Sequence, residues 1–324
     1  MSGAAIRPDL TVVIVNWNGR GILDDCLRSV FARDPGIGLE VIVVDNASTD
    51  GSQAMVKTGY PDAILVENAE NRGFAAANNQ AMRMARGRHV LLLNSDTIVH
   101  GDVLLRTVRF LDERPEVGVL ACRVLNRDGT DQQVARPAPS WWRLWLWTLG
   151  AEKLAGRPTV GVASRQRLDR ERDVGYVAGC FLAVPASTVA AVGMLDEEFF
   201  FYGEDADWCE RIRRAGKRVV QAPIGSIIHL GGASSGPHSY RRDLMLSSGL
   251  VVFNRKFRGR VAALAAAGAL WTFYASRLVA FRIEGAVRPN ESRMARAAGM
   301  GKILAGFGPV WALAWRGRSP AASA

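Results

Sequence analysis

The first hundred residues carry short runs rich in Val, Ile and Leu at 11–15 (TVVIV), 40–44 (EVIVV), 63–67 (AILVE) and 89–93 (HVLLL). Segments with helical spacing lie between them, at 22–31, 52–57 and 74–86. Runs this short and this continuously apolar are buried on both faces, which predicts parallel strands covered by helices. A chain patterned in this way is confined to an open, doubly covered α/β sheet, and such sheets bind ligands beyond the carboxyl ends of their strands. Asn16, Asp45, Asn68 and Asp96 stand at or just past those ends. Polar residues gathered at one sheet edge predict a site.

Further along, 102–111 reads as a helix and 118–124 as a strand, with a turn-rich loop at 128–140. Residues 174–184 (VGYVAGCFLAV) read as a strand hairpin, 185–192 as a helix, and 218–221 and 226–230 as separate strands. The basic stretch 154–172 reads as a loop. The expected division is an α/β body in two halves, at 1–100 and 101–240, and a basic helical module at 241–324. Trp141, Trp142, Trp145 and Trp147 crowd one segment, where each buried indole N–H would need a partner. Core packing and an interfacial or acceptor-facing role both remain open for it.

The formal charge of +10 is concentrated at the C-terminal end, where Glu284 and Glu291 are the only acids from Met245 onward, against twelve Arg and Lys. Such a tail suits a polyanion. Its uncharged runs, 261–276 and 303–315, choose lipid over nucleic acid. Both fall short of the ~20 residues of a spanning helix. With Trp271, Trp311, Trp315 and basic flanks they predict helices lying on an anionic membrane surface. The four cysteines are scattered and lack a CxxC, which predicts buried thiols rather than disulfides or zinc. The apolar run at 11–15 is too short for a signal peptide, so a cytoplasmic protein is expected, peripheral at the inner face of the plasma membrane.

The chemistry concentrates at 199–211 (FFFYGEDADWCER), where Glu204, Asp205 and Asp207 follow an aromatic wall at the start of a helix. Like charges and apolar neighbours both raise the proton affinity of a carboxylate, and such a group can act as a general base. A helix start favoured by its dipole, with Asp207 and Arg211 as an i,i+4 pair, would look the same. Asn94 and Asp96 lie two apart at a strand end and turn to one side, as hard divalent cations require of oxygen ligands. His229 ends a later strand as a third candidate ligand, and the glycine-rich 231–236 after it could wrap a diphosphate. Asp45 is placed to accept from a ribose hydroxyl or a base N–H. Asn71, Gly73 and Asn78 open a helix in a way that suits a nucleotide or anion.

In this order, VVIVNWNG, VDNASTDGS, NRGFAAANNQ, LLLNSDT, GCFLAV, FFFYGEDADWCER and HLGGASS resemble the family 2 inverting glycosyltransferases of GT-A fold. Their look is nearest to the bacterial rhamnosyltransferase-like branch, and the resemblance spans roughly 10–259, including Asn254-Arg255-Lys256-Phe257. It implies a GT-A Rossmann-like, mixed but mostly parallel sheet with flanking helices. It also implies a nucleotide-diphosphate sugar donor, Mg²⁺ or Mn²⁺, and inversion at the anomeric carbon. By resemblance Asp45 binds nucleotide, Asp96 binds metal, His229 reaches that metal, and Asp205 is the base with Glu204 beside it. Asn16, Asn71, Gly73, Asn78, Asn94, Gly179, Asp207 and Trp208 fill out the expected substrate site. Asn94 replaces the first residue of the usual Asp-x-Asp, which leaves metal binding mainly on Asp96. The donor implied is dTDP-L-rhamnose, and the acceptor a lipid-linked or polysaccharide hydroxyl. The sequence leaves homo-oligomer formation open and shows no nucleic-acid recognition motif. A sugar nucleotidyltransferase would carry a Gly-rich basic loop after its first strand, where this chain has Asn16-Trp17-Asn18-Gly19-Arg20. A non-catalytic nucleotide-sugar binder is the other alternative, for which Asn94 is the argument.

Overall fold

The computed structural model describes residues 7–32, 36–151, 168–231, 240–288 and 290–316, which group into two compact units. The first holds 1–136, 165–200 and 204–234; the second holds 137–164, 201–203 and 235–324.

The first unit begins with β1 (Leu10–Asn16), α1 (Arg20–Phe31), β2 (Leu39–Asp45), α2 (Ser52–Gly59), β3 (Ile64–Glu67), α3 (Gly73–Met84) and β4 (His89–Asn94). The short strand β5 (Thr97–Val99), α4 (Val103–Glu113), β6 (Val117–Leu125) and β7 (Ala135–Arg136) follow. After α5 (Trp141–Thr148), which belongs to the second unit, come β8 (Arg172–Asp173), β9 (Tyr176–Val177), β10 (Phe181–Pro185), α6 (Ala186–Val192), α7 (Glu204–Arg214) and β11 (Arg218–His229). The main sheet runs β3-β2-β1-β4-β10-β6-β11-β5, with β8 on β11, and β7 pairs with β9 apart from it. The pairs β1–β2, β1–β4, β2–β3 and β6–β11 are parallel. Strands β10 and β5 run antiparallel to their neighbours. The sheet is thus mixed and mostly parallel, with cores on both faces, as the continuous apolar strands predicted.

Two expectations are corrected. Residues 174–184 form no hairpin: β9 pairs with β7, and β10 inserts between β4 and β6. The runs 218–221 and 226–230 belong to one strand, β11, in which Pro223 and Gly225 (φ +136) sit within a register shift against β6. Proline cannot donate to a ladder and glycine accepts the odd backbone angle, so the irregularity is absorbed as a bulge rather than a break. Past the bulge, β11 also pairs antiparallel with β5, His229 opposite Thr97.

The second unit is helical: α5, α8 (Tyr240–Arg258), α9 (Arg260–Val287), α10 (Glu291–Ala305) and α11 (Gly308–Trp315). Its core gathers Leu144, Val251, Ala266, Leu270, Tyr274, Phe307 and Val310. The tryptophan segment divides: Trp147 stacks on Phe273 at 3.8 Å, whereas Trp141 and Trp142 are exposed. Asn254 of α8 is buried, and its Oδ1 accepts from the Trp141 N–H at 3.0 Å, which starts α5. The helices run past the uncharged segments that mark them in the sequence. Arg260–Val287 and Glu291–Trp315 are long and apolar enough to cross a membrane by length and composition, which corrects the expectation that both fall short. About a quarter of each apolar window is buried within the protein (28% and 22%), and the two are consistent with a membrane-associating module.

Candidate active site

The parallel register brings Asn16 level with Asp45 and Val15 level with Asn94, so the carboxyl ends of β1, β2 and β4 share one edge. At its outer part Asp45 is only 1% exposed. Its Oδ1 accepts from the Ser48 N–H (2.8 Å) and the Gln53 amide (2.7 Å), and its Oδ2 accepts from the Asn16 amide (3.0 Å). Asn18 laces the loops after β1 and β2 together: its N–H donates to Ser48 Oγ and its Oδ1 accepts from the Thr49 N–H, both at 2.8 Å. Ser48, Gln53 and Asn18 were absent from the sequence-based site, although Ser48 stands in the VDNASTDGS motif.

The start of α3 is tied to this edge through Asn46, whose amide donates to the Gly73 carbonyl at 3.2 Å. Gly73 has φ +79, and a Cβ there would lie 2.5 Å from the Phe200 carbonyl, so only glycine fits. The Phe74 N–H donates to that carbonyl at 2.8 Å. Asn71 accepts from the Gly73 N–H and shapes the turn. Three expected substrate contacts are corrected. Asn78 is buried and spends its amide on the Phe74 carbonyl of its own helix, so it serves packing. Trp208 is fully buried in the core with its indole N–H on the Gly193 carbonyl, and no face is left for a ligand. Asp207 is likewise fully buried and pairs with Arg211 at 2.8 Å, the i,i+4 alternative. Arg211 in turn donates to the Val192 and Met194 carbonyls, which anchors α7.

The inner part of the edge holds Asn94, Asp96 and His229. Pairing of β5 with β11 delivers His229 to Asp96, with Nε2 3.1 Å from Asp96 Oδ1 and 3.3 Å from the Asn94 amide nitrogen. The Leu230 N–H donates to the Asp96 carbonyl at 2.9 Å. Among the described residues no group of three or more His, Cys, Asp and Glu gathers, so a cation here would take two such ligands from the protein. The expected diphosphate wrap at 231–236 lies largely outside the described residues.

Glu204 and Asp205 open α7. Glu204 is 5% exposed, and its Oε2 has no hydrogen-bond partner among the described residues. Burial, then the charges of Asp205 and Asp207, push its carboxyl well above the usual glutamate range. Asp205 is half-buried. Burial raises it too, against the Ala206 N–H (2.7 Å), the Arg136 charge and the Gly179 N–H, which favour the ionised form. Burial and like charge thus favour a proton on Glu204, while the donors and the Arg136 charge around Asp205 oppose the rise there. Arg136 and Tyr176, paired through β7 and β9, adjoin Asp205; burial and the Asp205 charge lift the Tyr176 phenol to about 12. Neither residue was found from sequence, since only strand pairing brings them near the acid.

The dipeptide Gly179-Cys180 joins the two acidic groups. The Cys180 carbonyl accepts from the Asn94 N–H at 3.3 Å, while the Gly179 N–H is directed at Asp205. Burial raises the Cys180 thiol to about 12, and the charges of both Asp96 and Asp205 add to that rise. Both carboxylates therefore act on one sulfur, from the metal-candidate side and the base-candidate side. Such an arrangement could hold a hard cation, and through it an anionic leaving group, at one acid and accept a proton at the other.

Residues 11–170 match the family model described as Glycosyl transferase family 2. A curated relative, N-acetylglucosaminyl-diphospho-decaprenol L-rhamnosyltransferase of Mycobacterium tuberculosis, is 27% identical over 210 residues, covering 61% of this chain and 68% of its own. The low-salt glycan biosynthesis hexosyltransferase Agl10 of Haloferax volcanii is 24% identical over 227 residues, 68% of this chain and 67% of its own. Among solved structures, the mannosyltransferase PcManGT of Pyrobaculum calidifontis, in complex with GDP-Man and Mn²⁺, superposes with a TM-score of 0.56 at 22% identity, covering 96% of this chain and 85% of that one. That structural likeness speaks to fold, and the family match speaks to kind. By the family match and the sheet it folds into, this chain belongs to the family 2 glycosyltransferases of GT-A fold.

Proposed function

We propose that the enzyme is a metal-dependent inverting glycosyltransferase that moves L-rhamnose from dTDP-L-rhamnose to a hydroxyl of a polyprenyl-diphosphate-linked sugar. The observation that carries the reading is the Gly179-Cys180 bridge, with Asp96 and His229 on one side and Asp205 on the other. The rhamnosyl donor and lipid-linked acceptor rest on the M. tuberculosis relative's name.

In the transfer, the acceptor hydroxyl gives its proton to Asp205 as its oxygen bonds to the anomeric carbon. The bond from that carbon to the diphosphate breaks on the opposite face, and the electron pair leaves with the phosphate. Glu204, protonated beside it, spares Asp205 a second like charge. Asp45, Asn16, Asn71 and Gly73 support the nucleotide half through the network around α2 and α3.

Asp96 and His229 fit a hard cation. Asp96 Oδ1 and His229 Nε2 stand 3.1 Å apart. Adjacent ligands at ~2.1 Å from an octahedral ion lie about 3.0 Å from each other. Mg²⁺ or Mn²⁺ bound by this pair, with Asn94 beside it, would neutralise charge building on the departing diphosphate.

The second unit supports action at the inner face of a membrane. Val279, Ile283 and Val287 recur every fourth residue of α9 and are exposed, near Arg282 and Arg288, and Trp271 and Trp315 are exposed as well. Apolar stripes edged by Arg and Trp suit the interface of an anionic bilayer.

The test is nucleoside diphosphate release from dTDP-sugars in Mn²⁺ or Mg²⁺, with and without a polyprenyl-diphosphate-sugar. Acceptor-dependent dTDP release from the rhamnose donor is the expected result. Pyrophosphate release would identify a nucleotidyltransferase, and binding without turnover in any metal would identify a degenerate site.

A further inference from the structure

A chain of polar side chains behind His229 has an unambiguous direction. Asp128, a carboxylate, only accepts, and it takes the Thr130 hydroxyl proton at 2.6 Å. That leaves Thr130 Oγ1 as an acceptor for the Asn126 amide nitrogen at 2.9 Å. Asn126 Oδ1 therefore faces outward and accepts from the Gln132 amide nitrogen at 3.0 Å. The Gln132 nitrogen also reaches the His229 carbonyl at 3.4 Å, so Gln132 Oε1 is the atom that meets His229 Nδ1, at 2.6 Å. An amide oxygen cannot donate, so Nδ1 carries the ring proton.

The turn that carries this chain is braced. Arg123 and Asp131 pair through two contacts, 2.5 and 3.1 Å, and the Gln132 N–H donates to the Val124 carbonyl at 2.8 Å. The outer links are exposed and the links at Gln132 are partly buried, so the constraint tightens towards the ring. At the far side of the imidazole, a bare Nε2 faces Asp96 Oδ1 at 3.1 Å. Two acceptors at that distance repel unless a shared cation or a proton lies between them, while the Asn94 amide approaches the same nitrogen at 3.3 Å.

We infer that Gln132 is a positioning residue that holds His229 in the Nδ1–H tautomer and so presents an unprotonated Nε2 beside Asp96. Its consequence for metal binding rests on the reading proposed above. Partners of this kind behind a ligating histidine are worth about 10–100-fold in metal affinity.

The tautomer is read directly on the metal-free protein by ¹⁵N NMR of the histidine rings, at mildly alkaline pH where an imidazole carries one ring proton. A His229→Asn variant assigns the resonance. The expected wild-type result is Nδ1 protonated and Nε2 bare. Gln132→Leu, which cannot accept, should shift the ring towards Nε2–H and weaken Mn²⁺ binding, followed by electron paramagnetic resonance, about 10-fold or more. Gln132→Glu, which still accepts at Nδ1, should retain both. A wild-type ring protonated on Nε2, or Gln132→Leu leaving the tautomer unchanged, would overturn the inference. A wild type with Nδ1–H that binds no Mn²⁺ upholds the tautomer control and sinks the metal reading instead.

Discussion

Asp45 and Glu204 are buried to nearly the same degree, 1% and 5% exposed, yet they are opposite kinds of acid. Asp45 draws donors from Asn16, Ser48 and Gln53, so both of its oxygens are engaged. Glu204 has an oxygen without a hydrogen-bond partner among the described residues, like-charged neighbours in Asp205 and Asp207, and a proton affinity driven up by burial. Burial alone does not make a carboxylate reactive. The supply of donors decides whether it organises a loop or titrates, and the two ends of this site differ in that supply.

The comparison is broken most forcefully at Asp205, the half-buried acid next to the starved one. Asp205→Asn should lower turnover by about 10²-fold or more, the usual worth of a general base, with donor binding little changed. Steady-state rates with an intact KM for donor would check it; near-native turnover would remove Asp205 from the reaction. At the satisfied end, Asp45→Asn keeps the shape but turns an acceptor into a donor among three donors. Leaving buried donors unmatched costs about 1–3 kcal/mol each, so thermal unfolding should fall and nucleotide affinity with it. A variant with unchanged melting would mean that the network around Asp45 is dispensable.

Much of this contrast was legible in the sequence, for a physical reason. A strand buried on both faces must be apolar throughout, and the first polar residue after it must lie at the sheet edge; this is how Asn16, Asp45, Asn94 and Asp96 are found. The acid run was equally visible, because like charges behind aromatics are costly without purpose. What stayed hidden depends on pairing between distant segments. Gln132 meets His229 across 97 positions, Arg136 reaches the neighbourhood of Asp205 only because β7 pairs with β9, and β10 leaves its apparent hairpin to insert beside β4. Periodicity also could not tell a fully buried Trp208 from one lining a site, nor carry α9 across the charged residues that bound its apolar run. The Asn79 amide was passed over too, though it clamps Leu195 and Glu197 ahead of the aromatic run, at 2.9 and 2.8 Å.

Gly73 links the two regions, since Asn46 holds its carbonyl and Phe200 covers its Cα. Gly73→Ala would place a methyl 2.5 Å from the Phe200 carbonyl at a positive φ, which should destabilise by about 1 kcal/mol or more. Calorimetry that finds no loss would show that the Phe200 segment yields easily.

The smallest effect, and the one that separates the two acids most finely, is expected from Glu204→Gln. The folded state holds the Glu204 proton to higher pH than the unfolded chain, whose ordinary value is 4.5. Between those two values the folded protein binds more protons, so stability is lost as pH rises through that window. Glutamine is neutral throughout. The variant should therefore match the wild type in acid and melt progressively higher as pH climbs above the ordinary glutamate range, about 2–4 °C for each kcal/mol recovered. A stability gap that is widest in acid and closes towards neutrality would reverse the assignment. Turnover adds the second half of the test. If Glu204 works as a neutral neighbour, glutamine reproduces its state and the rate stays within about tenfold, short of the ~10² expected when a general base is lost. A loss as deep as that of Asp205→Asn would instead make the two carboxyls one proton-sharing unit, and the contrast between starved and engaged acids would have to be drawn around the pair.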